Sequence, residues 1–129
     1  MRTNTANIGR KGEKIAARFL KKNGFRIIAK NNRQSHNEID IIAADRKYIV
    51  FVEVKTRSSD KDLYLKYGTP ASAVDYAKQK RTVLAARRYL SKNDAKGKQP
   101  RMDVIEVYLE KDSGKLLKIN HIQDAFGAR

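Results

Sequence analysis

Apolar positions near the N-terminus recur at helical spacing. Ile8, Gly12, Ile15, Ala16, Phe19 and Leu20 fall on one face, with Arg18, Lys21 and Lys22 outside it. The pattern predicts a helix from Ile8 to Asn23, stopped by Gly24, a residue suited to the left-handed position after a helix. Glu13 stands at the edge of the apolar stripe, on the border between core and solvent. The period then shortens. Phe25–Lys30, Glu38–Ala44 and Tyr48–Lys55 read as strands, the last two as a hairpin turning at Asp45-Arg46-Lys47. Thr56 to Thr69 is polar and charged and reads as a mobile loop. Pro70 is expected to open a long second helix, with Val74, Ala77 and Leu84 on its buried side. Met102–Leu109 and Leu116–Ile122 complete the pattern, joined by a turn at Asp112-Ser113-Gly114. The expected order is α-β-β-β-α-β-β, a mixed α/β sheet domain occupying the whole of residues 1–129.

Charge changes the picture. The chain carries 29 Lys and Arg against 14 Asp and Glu, a net charge of +15, which points to a polyanionic partner and to nucleic acid first. No apolar run approaches the ~20 residues needed to span a bilayer. The N-terminal MRTNTANIGRKGEK has no apolar signal core, so a cytoplasmic location without membrane association is expected. With no cysteine, disulfides, thiolate metal sites and cysteine nucleophiles are excluded. Any metal must be held by oxygen or by His36 and His121.

The acids are distributed pointedly. Glu53 and Lys55 share one face of their strand, and Glu38 and Asp40 share a face of the neighbouring one. A two-residue loop would set Asp40 opposite Glu53, and a four-residue loop would set Glu38 there; a three-residue loop would separate the acids. Like charges on adjacent strands repel unless something neutralises them, and a divalent cation, Mg²⁺ or Mn²⁺ for oxygen-only ligands, is the natural neutraliser. Lys55 beside such a cation could position water and stabilise charge on a phosphate. As a bare pattern E-x-K is also a surface salt bridge. The apolar run VFVEVK makes a solvated face the poorer fit.

The constellation Asp40…Glu53-x-Lys55 resembles the core of the PD-(D/E)XK nuclease superfamily. The segments GRKGEKIAARFL, NNRQSHNEIDIIA, IVFVEVKTRSS, YGTPASAVDYAKQKR and RMDVIEV are similar, in order, to those of the YraN family, small bacterial proteins resembling archaeal Holliday-junction resolvases. The resemblance implies a restriction-endonuclease-like core, with a mixed five-stranded sheet flanked by helices. It also implies Glu13 as a helix-borne acid, Asp40 and Glu53 as metal ligands together with the Val54 carbonyl, and Lys55 as the catalytic lysine. Glu38 matches the acid of the family's G-E-I-D segment, where Asn37 replaces the usual glycine. The implied activity is metal-dependent DNA endonuclease, on branched or damaged DNA, leaving 5′-phosphate and 3′-hydroxyl ends. A homodimer would suit a two-fold substrate.

The second helix carries Lys78, Lys80, Arg81, Arg87 and Arg88, with Lys78 and Arg81 the leading candidates for phosphate contacts. Arg33 and Arg57 flank the acidic strands and could grip the strand being cut. Tyr64 and Tyr67 could stack on unpaired bases or simply anchor the loop. Asp103 is expected to pair structurally with an arginine, and Asn31-Asn32 to form a turn; His121 is assigned no role. The alternative function is a non-catalytic nucleic-acid-binding protein, including one associated with RNA, for which charge alone would suffice.

Overall fold

The computed structural model describes residues 5–59 and 75–127, in seven elements. They are α1 (Thr5–Lys22), β1 (Arg26–Gln34), β2 (Asn37–Ala44), β3 (Tyr48–Ser59), α2 (Tyr76–Lys92), β4 (Gln99–Glu110) and β5 (Leu116–Phe126). The strands form one mixed sheet in the order β1-β2-β3-β4-β5. β1, β2 and β3 run as an antiparallel meander, β4 joins β3 in parallel, and β5 returns antiparallel to β4. This is the expected order.

β3 lies in the middle of the sheet with both faces covered. Val50 and Val52 point into a core with Ala16, Ala17 and Leu20 of α1, while Ile49 and Phe51 meet Val83, Ala85, Ala86 and Tyr89 of α2. A strand buried on both sides reads as a continuous apolar run, which is why IVFV shows no polar alternation. Whatever charge appears next in that strand is held between two layers.

α1 packs as the periodicity predicts, and it ends on Gly24 at φ 91°. The Phe25 N–H bonds the Leu20 carbonyl and the Gly24 N–H that of Lys21, the paired bonds of a Schellman end. The second helix corrects the expectation. Its α2 segment has Asp75 as N-cap and buries Thr82, Val83, Ala85, Ala86 and Tyr89. Ala77 is exposed and Leu84 is 49% exposed, so the predicted stripe was out of phase; Val74 and Pro70 lie outside the described residues, as do Tyr64 and Tyr67.

Every strand is longer than expected, β4 starting at Gln99 and β5 running on to Phe126. β1 runs on through Asn31 and Asn32 to Gln34, with Asn31 at φ 50°, and the turn falls instead at Ser35-His36. β3 continues past Lys55 to Ser59 because β4 pairs with it residue for residue from Tyr48↔Gln99 to Ser59↔Glu110. Arg101 and Asp103 form the expected pair, through Nε and Nη2 at 2.8 Å each. His121, assigned nothing beforehand, adds a 2.7 Å bond from Nε2 to the same carboxylate. Burial opposes charge on Asp103, yet the bonds from His121, Arg101 and the Asp124 amide hold its carboxyl below the ordinary range. Among the described residues, no helix is long and apolar enough to cross a membrane.

Candidate active site

The β2–β3 turn sets the site. Asp45 Oδ1 accepts the N–H groups of Lys47 (2.9 Å) and Tyr48 (2.7 Å), and its own N–H bonds the Tyr48 carbonyl. An aspartate bridging its own turn replaces the glycine that the turn lacks. The pairs Ala44↔Ile49 through Ile41↔Val52 follow, the register of a two-residue loop. Continued one step further, that register would set Asp40 opposite Glu53, but the ladder ends at Ile41↔Val52.

At that step the regular strand gives way. Ile39 and Ile42 both belong to the core on the α2 side, so the alternation of β2 breaks between them, around Asp40. Asn31 takes its left-handed φ in the matching place on β1, between the pairs Lys30↔Ile41 and Asn32↔Ile39. The Asp40 side chain turns to β3, where Oδ2 accepts the Val54 N–H at 2.8 Å. Burial and then the nearby Glu53 charge push the Asp40 carboxyl up to about 7, against the pull of the Val54 N–H; Glu13 adds to the rise and Lys78 opposes it.

Glu53 is 6% exposed and sits between two ammonium groups. Lys55 Nζ lies 3.6 Å from Oε1, and Lys78 Nζ lies 3.7 Å from Oε2. Lys78 arrives from the first turn of α2, where the Asp75 side chain accepts its amide at 2.7 Å. It precedes the buried positions Thr82, Ala85, Ala86 and Tyr89 on one helical stripe.

Glu13 reaches the cluster from α1. Its proton affinity is raised by burial; the Asn31 side chain counteracts this with a hydrogen bond, and Glu38 and Glu53 add repulsion. Its neighbour Gly12 explains the approach. A Cβ on Gly12 would lie 1.8 Å from Thr56 Oγ1 of β3, so only glycine lets α1 settle this close to the sheet.

The structure therefore gathers Glu13, Asp40, Glu53, Lys55 and Lys78, with Val54 supplying an amide to Asp40. Arg57 lies further along β3 and pairs with Glu106. Arg33 is exposed on β1, registered with Glu38 across the hairpin, and Arg81 is exposed on α2; neither enters the ion pairs around Glu53. Asn31 and Glu106 were missed. Glu106 carried a signal: it is a lone charge inside the apolar run VIEVYL, as Glu53 is inside IVFVEV. Asn31 carried a misleading one, because Asn-Asn reads as a turn.

Among the described residues, no three His, Asp or Glu side chains converge into a ready-made metal shell. Asp40 and Glu53 are nevertheless hard oxygen donors with repelling charges, a pair that suits Mg²⁺ or Mn²⁺, since Mg²⁺ keeps several waters beside one or two carboxylates.

Helices packed against a mixed five-stranded sheet, in the order α-β-β-β-α-β-β, make this a mixed α/β protein. The chain belongs to the uncharacterised protein family UPF0102, whose family model matches residues 12–107. A UPF0102 protein of Caldanaerobacter subterraneus is 45% identical over 97% of this chain and 98% of that protein. Another, from Symbiobacterium thermophilum, is 44% identical over 94% of this chain and 97% of that protein. Among solved structures, a repair endonuclease from Pyrococcus abyssi is similar at a TM-score of 0.40 and 20% identity, over 88% of this chain but only 41% of that one. A XisH family protein from Nostoc punctiforme is similar at a TM-score of 0.40 and 11% identity, over 84% of this chain and 97% of that one.

Proposed function

We propose that this protein is a metal-dependent endonuclease that hydrolyses DNA phosphodiester bonds, with branched or damaged DNA as its substrate class. The observation that carries this reading is Asp40, bonded to the Val54 amide and within reach of the Glu53 charge, with the Lys55 ammonium 3.6 Å from Glu53. Two acids and a lysine held together at the end of an apolar strand are costly to fold and suited to phosphoryl chemistry.

Asp40, Glu53 and the Val54 carbonyl are the residues that would hold Mg²⁺ or Mn²⁺. Bound there, the ion would polarise the scissile phosphate and lower the pKa of a bound water. Lys55 orients the attacking water and offsets charge growing on the phosphate. Glu13, tied to Asn31, fixes the acidic side of the site. Lys78 turns from Glu53 to phosphate as the substrate arrives, and Arg57 grips the strand near the cut; Arg33 and Arg81 make outlying backbone contacts. The products carry 5′-phosphate and 3′-hydroxyl ends. The protein acts in the cytoplasm as a single domain, and as a homodimer where the substrate has two-fold symmetry.

Cleavage of labelled junction, flap and single-stranded DNA in Mg²⁺ or Mn²⁺ tests this. Asp40→Ala and Lys55→Ala should each lower the rate by about 100-fold or more. Activity that survives both substitutions would place the chemistry elsewhere.

One observation favours a second reading. Lys55 and Lys78 both pair with Glu53, so two protein cations balance this acid. A protein content with that arrangement would bind nucleic acid, RNA included, through its charge alone. Binding without cleavage of any substrate, and without response to Mg²⁺ or Mn²⁺, would select it.

A further inference from the structure

Glu106 has no place in the scheme above, and its surroundings are unusual. It projects from β4 in register with Lys55 of β3, and its side chain is only 2% exposed. Its Oε2 lies 3.5 Å from Arg57 Nε, while among the described residues its buried Oε1 has no hydrogen-bond partner. A carboxylate hidden in a sheet face, met by a loose Arg57 pair and the nearby Lys118 charge and with Oε1 unbonded among the described residues, does little for stability. The arrangement makes sense through what it does to its partner.

Arg57 alternates onto the same face of β3 as Glu53 and Lys55, two residues beyond the lysine. Consecutive residues on one face of a strand stand ~6.6 Å apart. Arg57 is thus one step along the strand from Lys55, and its side chain is 48% exposed. A free arginine there would sample many rotamers, and ordering it on a ligand costs entropy. Pairing at Nε removes much of that freedom and leaves the Nη edge of the guanidinium for a phosphate.

We infer that Glu106 is a positioning residue. It holds Arg57 by its Nε edge, so that the guanidinium is presented as a ready-made fork for the phosphate next to the one facing Lys55. The inference rests on nucleic acid as the ligand of this face, as proposed above, and does not require cleavage.

Charge alone predicts the opposite of positioning. Replacing Glu106 by a neutral residue raises the net positive charge and should tighten binding to a polyanion; loss of positioning should weaken it. The test is equilibrium binding of a fluorescent four-way junction in EDTA across a salt series, with Arg57→Ala, Glu106→Gln, Glu106→Asp and the Arg57→Ala/Glu106→Gln pair. Arg57→Ala should weaken binding and reduce the slope of log affinity against log salt by about 1. Glu106→Gln should weaken binding by about 3- to 10-fold while its melting temperature holds or rises. Glu106→Asp keeps the charge but shortens the reach, and should weaken binding similarly, which serves if the glutamine variant folds poorly. The double variant should bind no worse than Arg57→Ala.

Wild-type or tighter binding by both Glu106 variants would overturn the inference, as would losses that simply add in the double variant. Coupling without cleavage of any DNA by the wild-type protein would sink the nuclease reading and leave this one standing. Cleavage without coupling would do the reverse.

Discussion

Asp40 is the residue on which the site turns. It lies near the Glu53 charge, and its Oδ2 accepts the Val54 N–H. Its carboxyl keeps a proton in the folded protein up to about pH 7, against an ordinary value of 3.8. Between those values the folded state binds more protons than the unfolded one, so the contribution of Asp40 to stability falls as pH rises and levels off above 7. In EDTA, urea unfolding at pH 5 and pH 8 should show Asp40→Asn gaining on the wild type by on the order of 2 kcal/mol over that interval. Parallel pH profiles for the two proteins would contradict this. Gly12 makes a second prediction at the same scale. Gly12→Ala should cost about 1–3 kcal/mol through overpacking against Thr56, despite the helix propensity of alanine. Gly9→Ala, whose added Cβ would meet no heavy atom within 4 Å among the described residues beyond its own helix turn, should stabilise by up to about 1 kcal/mol. Thermal unfolding of the two variants reads the difference in sign.

Among the elements, α2 matters most, because it carries Lys78 to Glu53 from a capped first turn. Asp75→Ala should lower stability by about 1 kcal/mol and loosen the turn that presents Lys78, visible as faster amide exchange at the start of the helix. How far these elements could be read from sequence depends on their surroundings. α1 lies on one face of the sheet, so its stripe of Ile8, Ile15, Ala16, Phe19 and Leu20 was legible. α2 buries Thr82, two alanines and Tyr89 while exposing Leu84, so hydrophobicity pointed to the wrong phase. The acids of β2 and β3 were legible in type, but the shared face expected of Glu38 and Asp40 was not, because the alternation of β2 breaks around Asp40. Their register was not, because either an even two-residue or four-residue loop satisfied the pattern, and the choice fell to the Asp45 side chain. The left-handed break at Asn31 could not be foreseen at all: it is imposed by its neighbours on a residue that looks like a turn former.

At the scale of the molecule, a net charge of +15 accompanies a small cluster of carboxylates. The two features have separate consequences. The basic exterior should bind any nucleic acid strongly at low salt and lose affinity steeply as salt rises, so that affinities measured from 50 to 200 mM salt fall by orders of magnitude. The carboxylates should respond to divalent cations instead, and that response needs no knowledge of the substrate. The most direct measurement is therefore the melting temperature at pH 7.5 titrated with Mg²⁺ or Mn²⁺, for the wild type and for Asp40→Asn. A ligand held at Asp40 and Glu53 stabilises the folded state by mass action. The wild type should climb steadily with cation while Asp40→Asn stays flat; superimposable curves would contradict a metal site at these residues.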